Sequence, residues 1–375
     1  MVGGVRTVTE ILTAGFIKSG HKVSWLIRFG CYGNERDFPV GYDITYLPEY
    51  NLVTKTNVDF FNKLLEEKEI DIVINQDGLY EGGELIALAR RKILNISVIH
   101  NNPLLNYEWL FKDVYTLRNS SFVEKCKRIA RVIFFKKIKK QVYKSIRHRF
   151  YFLDSTDSII VYLSSKYKDA VGLIHPINNV SVSIPNPNTF VTPHISGKEK
   201  IVLYVGRIDN RAKKIQYLIE IWIKLGIRTL GWKLIVVGEG DDIHNVKEMA
   251  KKSTNIHFVG YQKPDSYYQK ASIICMTSIF EGFPMVLTEA MQHGCVPIAF
   301  NSFPAIYDII SSGYDGEIIK AFDKKDYAEK LLNLMNNNEY RETLSKHAII
   351  SVKRFDREII IKEWEKLFER YANRN

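Results

Sequence analysis

The sequence predicts an α/β protein built from two doubly wound, Rossmann-like domains, and three observations carry that prediction. Short apolar runs alternate with segments whose apolar residues recur every three or four positions, the β–α–β alternation of a mostly parallel sheet. At 375 residues and 46% hydrophobic content the chain can bury a sizeable core, and its length suits two domains better than one. Between Pro185 and Lys200 lies a stretch rich in Pro, Thr and Gly that reads as an interdomain hinge. The expected division is residues 1–190, residues 191–355, and a last helix over 356–375.

In the first half, Val5, Val8, Ile11, Leu12 and Phe16 fall at helical spacing and Gly20 closes the segment, so Val5 to Ile17 is a helix. Val23 to Ile27, Tyr42 to Tyr46, Asp71 to Asn75 and Ile96 to His100 read as strands, with helices over Val58 to Glu67 and within Gly82 to Arg91. Parallel sheets collect ligands at the carboxyl ends of their strands. Gln76-Asp77-Gly78 and His100-Asn101-Asn102 stand at two such ends. Asp157 to Leu163 is a strand, Ser164-Ser165 caps the helix after it, and the strand Val180 to Ile184 runs into Pro185-Asn186-Pro187-Asn188.

In the second half, Ile201 to Val205, Trp232 to Val237, Ile256 to Val259, Ala271 to Met276 and Val296 to Phe300 read as strands. Helices run from Lys213-Lys214 to Leu225, from Asp323 to about Lys353, and from Asp356 to Tyr371 with Trp364 and Leu367 on one face; Gly313-Tyr314-Asp315-Gly316 is a turn. Gly206-Arg207 ends the first of these strands, and a planar guanidinium followed by the Lys213 point charge suits a diphosphate. Gly238-Glu239-Gly240 is a βα turn, too short to claim nucleotide binding.

The stretch from Thr277 to Met291 organises the rest. A buried strand meets a turn with Gly282 and Pro284, then a helix closed by Gly294, with Pro at the start and Gly at the end. The amides of Gly282, Phe283, Met285 and Val286 lie at or near the helix N-terminus, where unpaired N–H groups and the helix dipole favour an anion. Glu281 stands before the helix and Glu289 on it. Carboxylates beside an anion site accept hydrogen bonds from hydroxyls, so the pair suggests a diphosphate with a sugar at each end. A Glu pair at this spacing is by itself commonplace.

The surroundings narrow it. Glu281-Gly282-Phe283-Pro284, Glu289-Ala290-Met291 and Gly294-Cys295-Val296-Pro297 together resemble the signature of the retaining, GT-B-fold glycosyltransferases of family four (glycosyl transferases group 1). The resemblance is strong from about Ile201 to Gly316 and looser before. It implies a GT-B-type fold, two Rossmann-like domains facing a central cleft, with the last helix crossing back to the N-terminal domain. It implies a retaining transfer from a nucleotide-diphosphate sugar: Glu281 at the donor sugar, Glu289 at the ribose, Gly206, Arg207 and Lys213 at the diphosphate, and Gly260 and Tyr261 beside the base. Gly282, Phe283, Pro284, Met285 and Val286 complete the donor site, and His100 is expected near the transferred sugar. The family has Lys-Gly where this chain has Lys213-Lys214. Gly3-Gly4 resembles the family's phosphate or acceptor loop, which follows a first strand; here the sequence opens at Met1-Val2, so that strand is missing and an upstream start is expected.

Composition bounds the rest. No apolar run has transmembrane length and no secretory signal is present. Cys31, Cys126, Cys275 and Cys295 form no Cys-x-x-Cys pair, so a reduced, cytoplasmic chain is expected and the sequons at Asn95, Asn119 and Asn179 are idle. No Asp-x-Asp triplet occurs, so no metal or other cofactor is expected. The net charge is +11, and residues 111–150 carry thirteen Lys or Arg against two acids, enough to account for all of it. Interleaved with aromatic and aliphatic residues, this segment reads as a solvated helix pair or as a surface for anionic lipid, which suits a polyprenyl-linked or other glycan acceptor. No nucleic-acid motif supports a third reading. The rival functions are a degenerate GT-B-like scaffold and a nicotinamide-dependent doubly wound enzyme, the latter opposed by the lack of Gly-x-Gly-x-x-Gly after the early strands. A bacterial surface polysaccharide such as lipopolysaccharide or capsule is the expected pathway class.

Overall fold

The computed structural model describes residues 4–28, 41–76, 82–101, 158–168, 181–188 and 197–372, with 122, 126, 129, 130 and 133 on a helical segment. Gly3, Asp77, Gly78, Asn102, most of the basic segment and much of the hinge lie outside them. The chain divides into two compact units. One takes the described residues before Leu104, those from 158 to Pro187, and the last helix; the other takes the described residues between Leu104 and Phe135 together with Asn188–Asp356.

In the first unit, α1 (Gly4–Lys18) leads to β1 (Ser24–Ile27), which pairs in parallel with β2 (Asp43–Tyr46). After α2 (Lys55–Glu67), a four-stranded parallel sheet forms from β3 (Ile72–Asn75), β4 (Leu94–Ile99), β5 (Ser158–Tyr162) and β6 (Ser181–Ser183), with α3 (Gly82–Ile86) between β3 and β4. Among the described residues β1 pairs only with β2, and β3 only with β4. Helix α1 buries Val8, Ile11, Leu12 and Phe16. Phe16 stands 6.0 Å from Trp364 and 5.3 Å from Phe368 on the last helix, Arg357–Ala372. The two helices approach so closely that a Cβ on Gly15 would lie 2.3 Å from Ile361 Cδ1.

The predicted helix within Gly82 to Arg91 is shortened to α3. The Asn62 side chain donates to Leu88 O at 3.1 Å and accepts from the Arg90 amide at 2.6 Å, so these backbone groups find partners outside a helix. Ser164 caps a 3₁₀ turn, Ser165–Tyr167.

The second unit is one six-stranded sheet of β7 (Glu199–Val205), β8 (Lys233–Val237), β9 (Ile256–Gly260), β10 (Ala271–Met276), β11 (Val296–Phe300) and β12 (Glu317–Ile319). Its order is β12-β11-β10-β7-β8-β9, every pair parallel. Strands β10 and β11 are wholly apolar apart from Ser272 and wholly buried, as strands covered on both faces must be. The helices are α4 (Ile215–Leu225), α5 (Ile243–Ala250), α6 (Asp265–Lys270), α7 (Met285–Gln292), α8 (Ile306–Ile309), α9 (Lys324–Asn336) and α10 (Asn338–Ser351). The helix expected over Asp323 to Lys353 breaks at Asn337, whose side chain accepts from the Tyr340 amide at 3.0 Å and caps α10.

One consequence of the strand order positions the site. The chain runs from β7 outward to β9, then returns to β10 on the other side of β7 and runs out to β12. The order reverses between β7 and β10, and in such sheets the loops leaving the two flanking strands bound a crevice. Those loops are 206–214 and 277–284.

Candidate functional site

The loop after β7 is a rigid, positively charged structure. Gly206 (φ 152°) turns the chain, and Arg207, half-exposed, places Nη2 2.9 Å from Asp209 Oδ2. Asp209 is 8% exposed. Its Oδ1 accepts the Arg211 and Ala212 amides at 2.7 and 3.3 Å, and its carbonyl accepts those of Lys213 and Lys214 at 2.9 and 3.0 Å. Burial pushes the Asp209 carboxyl up, but the two amides and the Arg207 and Arg211 guanidinium groups outweigh it and hold it below the usual carboxylate value. Asp209 therefore stays ionised and fixes the Arg207 side chain.

The loop closes on Lys214, which adopts the left-handed conformation (φ 48°, ψ 41°) and caps α4, so the helix begins at Ile215 rather than at the lysine pair. Glycine suits this conformation, which gives a physical reason for the Lys-Gly pattern from which this chain departs. Thr277 holds the strained residue: its hydroxyl lies 3.2 and 3.0 Å from the carbonyls of Lys213 and Lys214, and the Ile279 amide donates to Ala212 O at 2.8 Å. The β7 and β10 loops are thus stitched together through their backbones.

Gly238-Glu239-Gly240, after β8, proves to be a buttress. A Cβ on Gly238 (φ 141°) would meet Gly206 O at 2.0 Å, and one on Gly240 would meet Ile208 O at 2.3 Å. The Ile208 amide donates to Glu239 O at 2.8 Å and the Gly238 amide to Gly260 O at 2.8 Å. The ends of β7, β8 and β9 are thus joined peptide to peptide, and Arg207 lies within the first of these loops.

On the other side of the switch point, Glu281 Oε1 accepts from Lys213 Nζ at 2.6 Å, and both side chains are largely buried. Phe283 is buried against Phe355 at 5.3 Å and fixes the turn, and Pro284 precedes α7. Met285 and Val286 form the half-buried first turn, where the helix offers its amides and positive dipole end. Glu289, one turn further, is buried, and its Oε2 accepts the Tyr268 hydroxyl at 3.0 Å. Gly260 (φ 75°) ends β9 and Tyr261 is 63% exposed beside it.

The structure therefore brings Gly206, Arg207, Lys213 and Glu281 into two adjoining loops and carries Gly282 to Val286 and Glu289 on the same strand–turn–helix. Gly260 and Tyr261 follow the neighbouring β9. His100 belongs to the first unit, where its Nε2 lies 2.7 Å from Gln76 Oε1, and burial pushes its pKa down to about 4, so the ring is neutral at pH 7. Gly4 is the exposed first residue of α1, and Gly3 lies outside the described residues. Among the described residues no group of three His, Cys, Asp or Glu is placed to hold a metal, and no helix is long and apolar enough to cross a membrane. Two residues escaped the sequence reading. Asp209 had a local signal, an Arg-x-Asp at a strand end; Tyr268 had none.

Residues 187–350 match the model of the family described as glycosyl transferases group 1. Over 378 aligned residues, 97% of this chain and 95% of the relative, the chain is 26% identical to an uncharacterized glycosyltransferase of Haemophilus influenzae. It is 26% identical over 178 residues to a GalNAc-alpha-(1->4)-GalNAc-alpha-(1->3)-diNAcBac-PP-undecaprenol alpha-1,4-N-acetyl-D-galactosaminyltransferase of Campylobacter jejuni, covering 47% of this chain and 50% of that one. Its fold is similar to the apo form of the lipopolysaccharide outer core galactosyltransferase WaaB, with a TM-score of 0.69 at 18% identity over 98% of this chain and 96% of that one. Residues 187–350, on the six-stranded switch-point sheet, thus carry the match to the glycosyl transferases group 1, and the chain as a whole shares the fold of GT-B glycosyltransferases.

Proposed function

We propose that this glycosyltransferase moves a sugar from a nucleoside-diphosphate sugar to a glycan carried on a polyprenyl diphosphate or similar lipid, with retention of configuration, in the assembly of a bacterial surface polysaccharide. The observation that carries the reading is the meeting of Lys213 and Glu281 across the switch point at 2.6 Å, with Arg207 on the same rigid loop as Lys213. The diphosphate lies on Arg207, Lys213 and the amides opening α7. As the bond from sugar C1 to the diphosphate oxygen breaks, that oxygen gains charge, and these groups stabilise it without reorganising. The acceptor hydroxyl forms the new bond to C1 and passes its proton to the departing diphosphate oxygen, which has taken the electron pair of the broken bond. Glu281 orients the sugar, Glu289 accepts from the ribose, and the base lies by Gly260 and Tyr261. Cationic side chains and helix amides do the work a metal does elsewhere, so the transfer is metal-independent. The acceptor is assigned to the first unit, with His100 as a neutral hydrogen-bonding group there. The acceptor class is supported by the undecaprenol-linked substrate in the name of the Campylobacter relative.

Phe122, Ile129 and Ile133, seven and four residues apart, are all exposed, within a segment dense in lysine and arginine. This supports peripheral docking on the anionic inner face of the cytoplasmic membrane. The test of the donor reading is a thermal-shift panel with UDP, GDP, ADP and NAD. One nucleoside diphosphate is expected to raise Tm, with the shift lost in Glu289→Ala and transfer abolished in Arg207→Ala. A response to NAD alone would replace the reading with the nicotinamide enzyme.

A further inference from the structure

Tyr268 lies on α6, twenty-one residues before Glu289, and is fully buried. Its phenol is not a generic core group. The hydroxyl donates to Glu289 Oε2 at 3.0 Å, and burial together with the Glu289 charge pushes the phenol well above its ordinary pKa, so it remains the donor of this bond. The residue is held from other sides as well. Its ring stacks on His293 at 6.0 Å with planes 21° apart. Its carbonyl accepts Lys198 Nζ at 2.8 Å and Cys295 Sγ at 3.1 Å. His293 and Cys295 follow directly on α7, the helix that carries Glu289, so the clamp ties α6 to the far end of that helix.

A carboxylate on a helix has rotamer freedom and offers two oxygens in several directions. One that must receive a ribose hydroxyl needs its plane set in advance, because loose placement costs affinity. We infer that Tyr268 is a positioning residue for the donor: its phenol sets the plane of the Glu289 carboxylate that accepts from the ribose. The inference rests on the donor reading above and adds to it a residue that never touches the substrate.

The experiment measures, by calorimetry on the full chain, binding of whichever of UDP, GDP and ADP binds tightest, beside its 2′-deoxy and 3′-deoxy forms. Tyr268→Phe is expected to weaken the ribonucleotide roughly tenfold while moving the deoxy form that lacks the contacted hydroxyl by less than about twofold. In Glu289→Ala the added Tyr268→Phe should cost nothing further, and in the single variant the KM for the donor should rise more than kcat falls. Equal weakening of ribo and deoxy ligands, or costs that add in the double variant, would make Tyr268 a packing residue and overturn the inference while leaving the donor reading intact. Undiminished affinity in Glu289→Ala alone would overturn both. If Tyr268→Phe does not fold, 3-fluorotyrosine at position 268, nearly isosteric and a stronger donor, takes its place: a change confined to the ribonucleotide supports the role, and no change refutes it.

Discussion

Gly238→Ala tests whether the stacked strand-end loops set the position of Arg207. The added Cβ would lie 2.0 Å from Gly206 O, a backbone atom at the mouth of β7, with the glycine at φ 141°. Ordinary contact requires more than about 3 Å, so the two loops must part by roughly 1 Å. Gly206 cannot yield alone, because its amide donates to Val237 O and the next loop residue, Ile208, donates to Glu239 O. The Arg207 guanidinium moves with its backbone. A backbone conformation open essentially to glycine costs about 1–3 kcal/mol for alanine, and overpacking a further 1–3 kcal/mol. The sum, about 2–6 kcal/mol, lowers Tm by roughly 5–20 °C in a domain of this size. A displacement of about 1 Å at a charge-stabilising group costs on the order of 100-fold in transfer rate. Differential scanning calorimetry and steady-state transfer, measured below the lowered Tm, read the two effects separately. Gly197→Ala is the control, since its Cβ would meet nothing within 4 Å. A Gly238→Ala protein with unchanged Tm and rate would refute the buttress.

Other expectations follow from the same geometry. Lys214→Gly removes the strain at φ 48° and is expected to raise stability by about 0.5–1 kcal/mol, seen as a small rise in Tm; a fall would mean the lysine side chain outweighs the strain. His100 is held neutral with its pKa near 4 against an ordinary 6.5, so the unfolded chain binds an extra proton between those values. Stability is then fully present above about pH 6.5 and falls as pH drops toward 4, by on the order of 3 kcal/mol from this group. In urea titrations from pH 7 to 4.5, His100→Gln should flatten that slope, and an unchanged slope would count against the burial assigned to the ring. Replacing Lys136, Lys137, Lys139 and Lys140 together by alanine should weaken co-sedimentation with vesicles rich in anionic lipid, most at low salt; undiminished binding removes that docking mode.

What was legible in the sequence depended on how local its cause was. Ala271 to Met276 announced a strand because a strand buried on both faces is apolar throughout, and Pro284 and Gly294 bracketed α7 by their own backbone limits. Arg207, Lys213 and Glu281 could be singled out because a strand end is a place where charge has a use. The interaction joining Lys213 to Glu281 was not legible, since it crosses sixty-eight residues and depends on β10 returning beside β7. Nor was Tyr268, on a helix of six residues that is too short for periodicity to single out. The glycines of Gly238-Glu239-Gly240 read as a turn; their close approach to Gly206 and Ile208 is a property of two loops and belongs to neither sequence alone.

On the proposed donor reading, the charge arrangement lets one site take both a diphosphate and a sugar. Lys213 and Glu281 neutralise each other within 2.6 Å in a largely buried setting, so removing either leaves a charge without its partner in a poor solvent for it. Arg207 is pinned by a carboxylate, Asp209, which is itself kept ionised by backbone amides. Arg211 and Lys214 add charge outside these two pairs, so the loops present a modest positive surplus beside the positive helix end of α7. A diphosphate arriving there meets one fixed cation whose position is already set, one cation it can share with Glu281, and a helix N-terminus. Its charge is compensated in pieces, by groups already in place, and the Glu281 carboxylate remains beside Lys213 to take a sugar hydroxyl. On this argument Glu281→Gln disturbs two functions together. It weakens the sugar contact and leaves Lys213 without its anion, so nucleoside-diphosphate affinity should rise by a few-fold while transfer falls by more than tenfold. Parallel losses of affinity and rate would show that Lys213 does not reach the diphosphate.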